Sequence, residues 1–256
     1  MKALITGASS GIGRSMAYYL SSLGYDLILV ARSKEKLQEI QKELKTDVKI
    51  IVADLADEVK LKEIYVVCKK DDIDILVNNA GFGLCGEFDD LELSKEMEMI
   101  DVNIRALHTL TKFFLKEMKK RDRGLILNVA SVAAFQAGPL MATYYATKAY
   151  VLRFSLAIRE ELRREKSNVS VSCLCPGPVD TNFNSVANVE FTVKALTSDY
   201  VAKYAIDKAL KGKAVIVPSF KMKLAVFMNR LVTQTFVSKV VYKIQKNKIN
   251  RKKKER

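Results

Sequence analysis

The regular alternation of short apolar runs with longer helical patterns constrains the fold of this chain most. The runs are rich in Val, Ile and Leu and almost continuous, as in strands buried on both faces of a parallel sheet. They occupy residues 2–6, 26–31, 48–53, 73–77, 124–130, 169–175 and 214–218. Helical periodicity fills residues 12–23, 33–45, 57–70, 94–119, 142–166 and 199–211, with Gly24 and Gly212 at the expected helix C-caps. This order predicts an α/β, doubly wound Rossmann-type fold, with a seven-stranded parallel sheet and helices on both faces.

Length and composition favour one well-buried domain. The chain has 256 residues, half of them apolar. We expect the domain to span residues 1–218 and a basic extension to span residues 219–256. No apolar run reaches the ~18 residues of a spanning helix, and the first strand leaves no room for a signal peptide. The four cysteines form no C-x-x-C pair and are predicted to be buried free thiols, as in a cytoplasmic protein: Cys68, Cys85, Cys173 and Cys175.

The single histidine, His108, excludes several chemistries. A Ser-His-Asp triad would have to use it, and sites with several histidine ligands are excluded. We expect no metal. Because His108 lies in the middle of a predicted helix, a packing or interface role is favoured over catalysis.

The glycine-rich segment at residues 6–13 follows the first strand and opens the first helix. Glycines allow a tight turn and close approach of the backbone to a phosphate, which the helix N-terminus then attracts. The spacing is G-x-x-x-G-x-G. It predicts a nucleotide site.

The end of the second strand distinguishes the two nicotinamide coenzymes. An acidic residue there would accept the ribose hydroxyls of NAD. The chain instead has Arg32, with no carboxylate until Glu35. A guanidinium can pair with the 2′-phosphate of NADP(H), which we therefore predict. Arg14 is a second candidate for this phosphate, and a solvated Arg32 is the alternative interpretation.

Three residues have a spacing suited to proton transfer: Ser131, Tyr144 and Lys148. A phenol normally loses its proton near pH ~10. A lysine one helical turn away favours the phenolate, so we expect it to lower the tyrosine pKa. A serine at a neighbouring strand end can hold a carbonyl oxygen beside the phenol. Tyr145 has Ala149 four residues later, so spacing selects Tyr144.

In order along the chain, these motifs resemble the short-chain dehydrogenase/reductase family over roughly residues 1–218. Further markers are Asp54 after the third strand, Asn78-Asn79-Ala80-Gly81 after the fourth, Asn103 in the next helix, and Pro176-Gly177-x-Val179-x-Thr181 after the sixth. The resemblance implies that the coenzyme contacts Gly7, Ser9, Ser10, Gly11, Ile12, Gly13, Arg32, Asp54, Leu55, Asn79, Ala80, Gly81, Tyr144, Lys148, Pro176, Gly177, Val179 and Thr181. Asn78 could equally be a residue at the end of the strand that only fixes the turn.

The resemblance also implies a mechanism. Ser131 binds the substrate carbonyl and Tyr144 donates a proton to its oxygen. Lys148 lowers the tyrosine pKa, and Asn103 holds a water that resupplies the proton. The expected activity is that of an NADP-dependent oxidoreductase. By resemblance, helices 94–119 and 142–166 pair into homo-oligomers, either dimers or tetramers.

Apolar residues around the predicted site favour a lipophilic carbonyl or alcohol substrate, such as a 3-ketoacyl chain or a steroid. Residues 182–198 are expected to form a flap, with Phe183, Val186, Val189, Phe191, Val193 and Leu196. Phe135, Pro139, Leu140 and Met141 are expected to line the same pocket. The alternative is that these residues only pack the flap shut.

The positive charge is concentrated in the C-terminal part. Residues 211–256 carry 14 basic residues and one acid, whereas residues 1–210 are almost neutral. Phe236, Val237, Val240, Val241 and Ile244 recur at helical spacing among lysines. Membrane-surface contact, partner docking and a helix packed on the core all remain open, while nucleic-acid binding is not favoured because no recognition motif is present. The tail loosely resembles extensions of 3-ketoacyl and 17-ketosteroid reductases.

Two other functions remain open at this point. One is an NAD-dependent alcohol dehydrogenase. The other is a cofactor-binding protein that docks to a membrane or a partner through residues 219–256.

Overall fold

The computed structural model describes residues 1–181, 195–229 and 231–254. Its strands are β1 (Lys2–Thr6), β2 (Asp26–Ala31), β3 (Val48–Val52), β4 (Ile73–Asn78), β5 (Gly124–Val129), β6 (Val169–Leu174), β7 (Val179–Asp180), β8 (Leu196–Thr197) and β9 (Val215–Ile216). Its α-helices are α1 (Gly11–Ser22), α2 (Lys34–Glu43), α3 (Glu58–Cys68), α4 (Leu93–Ile100), α5 (Leu107–Lys120), α6 (Ala142–Arg164), α7 (Ser198–Leu210), α8 (Phe220–Met228) and α9 (Gln234–Lys254).

Seven of these strands form one sheet in the order β3-β2-β1-β4-β5-β6-β9, and all its pairs are parallel. The order reverses direction between β1 and β4, which is the switch point of a doubly wound fold. The predicted fold class is confirmed. The short strands β7 and β8 pair separately from the main sheet.

The apolar runs are almost continuous because each strand contributes to two cores. In β1, Ala3 and Ile5 pack in the cluster that includes α1 and α7, whereas Leu4 packs on the other face with α3 and α5. Successive side chains of a strand point to opposite faces, so both faces require apolar residues.

Most predicted helix bounds hold to within about two residues, as is usual for helix ends. Gly24 and Gly212 follow α1 and α7 with φ values of +82° and +68°. The helix predicted at residues 94–119 is divided by a π-helical turn at Asp101–Ala106. The last strand is shorter than predicted, because only Val215 and Ile216 pair with β6.

The basic extension contains α8 and α9. Along α9, Val237, Val241 and Gln245 are buried at intervals of four residues, so this face packs on the body of the protein. None of the helices in the described part of the chain is long and apolar enough to cross a membrane.

None of the four cysteines forms a disulfide bond. Cys68, Cys173 and Cys175 are buried as predicted, whereas Cys85 is only partly buried. Cys173 lies in β6 and Cys175 directly follows this strand, and their sulfur atoms are 3.9 Å apart.

Candidate active site

A cavity of about 890 Å³ lies at the carboxyl edge of the sheet, where β1, β2, β4, β5 and β6 end. Loops that follow parallel strands meet at this edge, which is why distant motifs converge there. Of the residues predicted to contact a coenzyme, all except Gly13 line this cavity, together with Ser131. Asn103 lies just behind its wall.

The glycine-rich turn has the shape of a phosphate cradle. Gly7 and Gly11 adopt φ values of +64° and +53°. A side chain at Gly13 would lie 2.4 Å from the Gly7 carbonyl oxygen and from the amide nitrogen of Asn79. Gly13 thus supports the turn from beneath and does not line the cavity.

The N-terminus of α1 can accept an anion. Ser10 precedes this helix without capping it through its side chain, and no acid lies in the first turn. Ser9, Ser10 and Gly11 line the cavity there. Helix N-terminal amides and their partial positive charge favour a phosphate group. The residues present therefore fit the pyrophosphate of a dinucleotide.

Asn79 ties the glycine-rich turn to the end of β4. Its side-chain amide donates to the carbonyls of Thr6 at 3.0 Å and Gly7 at 3.1 Å, and its backbone N–H donates to the Thr6 hydroxyl at 3.0 Å. These bonds fix the position of the glycine-rich turn relative to the loop after β4.

Basic side chains surround the end of β2. Arg32 is 70% exposed and pairs with Glu98 at 3.4 Å. Lys36 and Lys95 line the same part of the cavity. Arg14 lies farther away, 3.8 Å from Glu43, and lines the neighbouring cleft. Arg32 is therefore the better placed of the two arginines proposed from the sequence.

Ser131, Tyr144 and Lys148 converge on the inner wall of the cavity. Ser131 follows β5 and precedes a short 3₁₀ turn, and its hydroxyl accepts a hydrogen bond from the Ala133 N–H at 3.1 Å. Tyr144 and Lys148 lie on successive turns of α6 and are both buried. The lysine ammonium donates to the Val129 carbonyl at 3.0 Å and lies 5.9 Å from the centre of the Tyr144 ring.

Burial controls the protonation of this pair. It raises the pKa of Tyr144 well above its ordinary value of 10, and a hydrogen bond with Ser131 acts in the opposite direction. Burial lowers the pKa of Lys148 from 10.5 to about 8. The sequence-based expectation of a lowered tyrosine pKa does not hold in this structure, because burial is the largest influence on the Tyr144 pKa and raises it.

Asn103 is buried in the π-helical turn and holds the loop after β4. Its side chain accepts from the Phe82 N–H at 3.1 Å and donates to the Phe82 carbonyl at 2.9 Å and to Thr147 at 3.1 Å. Isolated π-helical turns occur often at functional sites. A Cβ added at Gly81 would lie 2.8 Å from the Asn103 oxygen and 3.1 Å from the Lys148 nitrogen, so all three are neighbours.

Asn78, by contrast, points into the interior. Its amide donates to Thr111 and to Asn128, both at 2.9 Å, and Asn128 donates in turn to Ser155. This network joins β4 to β5, α5 and α6. It supports the interpretation of Asn78 as a structural residue.

The substrate end of the cavity is mainly apolar, with Phe82, Leu84, Val132, Met141, Tyr145, Met222 and Ile244. Of the four residues predicted between Ser131 and Tyr144, only Met141 lines it. Phe135 packs instead in the cluster around Leu107 and Val151. Leu140 is buried with φ +67°, which turns the chain away. Of the predicted flap, residues 182–194 lie outside the described residues.

The sequence did not reveal Gln245, which reaches the cavity from α9. Its amide nitrogen donates to the Tyr145 hydroxyl at 2.9 Å. Gln245 is 2% exposed, and its amide oxygen has no hydrogen-bond partner among the residues that the structure describes. A buried polar atom without a partner is costly, so its position at a cavity wall favours contact with a ligand. Only the helical spacing of Val237 and Val241 could have indicated this inward position.

A sequence family described as short chain dehydrogenase matches residues 1–190. The chain belongs to this family. Its relatives include an uncharacterized oxidoreductase of Staphylococcus epidermidis, which is 36% identical over 181 residues, 70% of this chain and 78% of the relative. The family membership makes this protein an oxidoreductase that uses a nicotinamide coenzyme.

Two solved structures share the architecture of this chain. A short-chain dehydrogenase from Sphingobium yanoikuyae in complex with NADPH is 30% identical, with a TM-score of 0.80 over 86% of this chain and 88% of that one. A bulky-bulky ketone specific alcohol dehydrogenase from Comamonas testosteroni is 27% identical, with a TM-score of 0.77 over 90% and 92% of the two chains.

Proposed function

We propose that this protein is an NADPH-dependent reductase of a lipophilic ketone, with the reverse oxidation of a secondary alcohol at the same site. The observation that carries the proposal is that Ser131, Tyr144 and Lys148 line the same cavity as the glycine-rich turn, with the Lys148 nitrogen 5.9 Å from the centre of the Tyr144 ring. Tyr144 is a phenol at neutral pH, which is the state required to donate a proton to a carbonyl oxygen.

In the proposed reaction, the Ser131 hydroxyl holds the carbonyl oxygen of the substrate next to the phenol of Tyr144. A reduced nicotinamide coenzyme held in this cavity would supply the hydride for the carbonyl carbon. Tyr144 transfers its proton to the oxygen, so that an alcohol forms and a phenolate remains. Ser131 and the Lys148 ammonium stabilise this phenolate. Asn103 keeps the loop after β4 beside Lys148. Through Lys148 a proton would be returned to Tyr144 after each turnover.

NADPH is favoured over NADH by the charge at the end of β2. Arg32 and Lys36 line the cavity there, and Arg32 needs only to leave its exposed contact with Glu98 to reach a 2′-phosphate. Such exposed ion pairs contribute little, so the exchange costs little. The NADPH complex of the Sphingobium relative supports this choice.

The remaining coenzyme contacts are proposed from their places around the cavity. Gly7 to Ile12 would hold the pyrophosphate. Asp54 and Leu55 would meet the adenine. Pro176, Gly177, Val179 and Thr181 would flank the nicotinamide.

The substrate class is inferred from the apolar wall of the cavity and from Gln245, a polar residue in that wall. Phe82, Met141 and Met222 suit a hydrocarbon body. The specificity of the Comamonas relative for bulky ketones supports a large substrate. We therefore favour a 3-ketoacyl chain or a ketosteroid. The free amide atom of Gln245 would contact a polar group on that body.

The proposed homo-oligomer would form through α5 and α6. On this surface His108 bonds the Tyr150 hydroxyl at 2.7 Å and stacks on Phe154 with ring centres 4.7 Å apart. These contacts agree with the packing or interface role expected for His108 from the sequence.

The decisive experiment is a fluorescence titration of the protein with NADPH and with NADH, followed by addition of 3-ketoacyl and ketosteroid substrates. We expect tighter binding of NADPH and loss of its signal only when a ketone is present. Tyr144→Phe should bind NADPH as the wild type does and should turn over no substrate.

Other outcomes would favour the remaining functions. Equal use of both coenzymes, unchanged by Arg32→Ala, would favour an NAD-dependent alcohol dehydrogenase. Tight NADPH binding without turnover of any ketone or alcohol would favour a coenzyme-binding protein instead.

A further inference from the structure

The two C-terminal helices leave large apolar side chains in contact with solvent. Phe220 is 78% exposed and Phe236 is 59% exposed. We define the C-terminal apolar surface as the exposed residues Phe220, Leu224, Phe227, Leu231, Phe236, Val240 and Ile244. Scattered exposed apolar residues are normal, but a group of this size on two consecutive helices indicates an interaction site.

On α8 the exposed apolar residues share one face. Phe220, Leu224 and Phe227 follow each other at helical spacing, so they lie together along the helix. Lys221 and Lys223 flank this face on its two sides. Met222, on the opposite side, lines the active-site cavity. Helix α8 therefore separates the cavity from an apolar outer face.

On α9 a second exposed apolar stripe adjoins the buried one. Phe236, Val240 and Ile244 are spaced four residues apart, and Lys239 and Lys243 border them on the solvent side. Ile244 both lines the cavity and is half-exposed. The mouth of the cavity thus opens beside this surface.

The charge around this surface determines what it can contact. Among the described residues from 219 to 247 there are five lysines and no acid. A second copy would bring the same positive charge against it, which opposes self-association through this face. Apolar side chains bordered by lysines fit a bilayer with anionic headgroups, because the stems of lysines extend to the headgroup level while apolar groups enter the boundary.

We propose that the C-terminal apolar surface docks the protein on anionic lipid bilayers as a peripheral contact. A lipophilic substrate would then reach the cavity past Ile244 and Met222 from the lipid side. Docking itself does not require the reductase activity, and it can be measured without turnover.

The test is co-sedimentation of the full chain with vesicles of phosphatidylcholine and phosphatidylglycerol in equal parts, compared with phosphatidylcholine alone. Binding should occur at low salt on the anionic vesicles and should weaken at high salt. A lysine near an anionic surface contributes about fivefold to partitioning, so Lys239→Gln with Lys243→Gln should weaken binding by about 25-fold. Phe236→Ser should weaken it by about tenfold through lost apolar burial.

Matched controls lie elsewhere on the surface. Lys42→Gln with Lys45→Gln removes two exposed lysines near the end of α2, and Phe88→Ser removes a phenylalanine that is 66% exposed. Both controls should bind vesicles as the wild type does.

Three results would overturn the proposal. The first is no binding to anionic vesicles at low salt, in which case an acidic protein would be the better partner for this face. The second is equal weakening by the control and tail variants. The third is a wild-type oligomer that Phe236→Ser dissociates in solution. NADPH titration of the same samples reports on the reductase separately, so failure of one proposal does not imply failure of the other.

Discussion

Replacing Lys148 with methionine should abolish turnover and yet stabilise the protein in the absence of coenzyme. Burial lowers the lysine pKa from 10.5 to about 8. Each pKa unit corresponds to ~1.36 kcal/mol, so keeping the cation buried at neutral pH costs about 3 kcal/mol. Methionine fills a similar volume without charge. The variant loses the hydrogen bond from Lys148 to the Val129 carbonyl. This loss costs about 1 kcal/mol and reduces the gain by that amount. The net gain should be about 2 kcal/mol in the free energy of unfolding.

The pH dependence gives this prediction a signature. The unfolded lysine holds its proton up to pH 10.5 and the folded one only to about pH 8. Between these values the unfolded state binds more protons, so wild-type stability rises with pH. Lys148→Met lacks this titrating group. Its gain in the free energy of unfolding over the wild type should therefore be largest at neutral pH and should shrink as the pH rises from about 8 to 10.5.

Urea unfolding of both proteins without coenzyme, over a series of pH values, measures this difference, since titrations common to both cancel. Tyr144→Phe is the matched control: it should also abolish turnover but should keep the wild-type pH dependence attributed to Lys148. If Lys148→Met is less stable than the wild type at neutral pH, or if the difference does not change with pH, the burial argument is wrong.

Three further predictions concern the coenzyme and the substrate. Arg32→Ala should weaken NADPH binding by about tenfold, the value of a charge-assisted hydrogen bond, and leave NADH binding unchanged in the same titration; equal losses for both coenzymes would contradict the assignment. Gly13→Ala should abolish binding of either coenzyme, because its Cβ would lie 2.4 Å from the Gly7 carbonyl oxygen. If calorimetry shows that the variant binds a coenzyme with wild-type affinity, the glycine-rich turn is not the phosphate site. Gln245→Leu should stay within about 1 kcal/mol of wild-type stability, because it removes an unpartnered buried group together with a single hydrogen bond, while changing the kcat/KM ratio between 3-ketoacyl and ketosteroid substrates; an unchanged ratio would leave Gln245 a packing residue.

The fold could be predicted from the sequence because the pattern of buried positions specifies it directly. Strands buried on both faces must be apolar throughout, and β1 shows this with Ala3, Leu4 and Ile5 in two different cores. Parallel strands must then end at one edge, so the motifs after them had to converge. The cofactor turn and the Ser131–Tyr144–Lys148 group followed from that geometry.

Other features of the site could not be predicted because they depend on contacts that spacing does not encode. Gln245 bonds Tyr145 across 100 residues of sequence. The chain between Ser131 and Tyr144 turns at Leu140, whose carbonyl accepts from the Gly86 N–H at 2.9 Å. As a result Met141 lines the cavity, whereas Leu140 does not. Helical spacing gave the positions of apolar residues in α9, but not which stripe would pack and which would face solvent.

The direction of the Tyr144 pKa shift shows why spacing alone was misleading. A lysine one turn away was expected to favour the phenolate, yet both groups are buried and each loses stability in its charged form. In the proposed reduction this is an advantage. The phenol keeps its proton until the substrate oxygen begins to take it, and the phenolate that then forms beside Lys148 turns two separately unfavourable charges into an attractive pair. The lysine thus stabilises the state that develops during proton transfer more than the state that precedes it, and differential stabilisation of this kind lowers a reaction barrier.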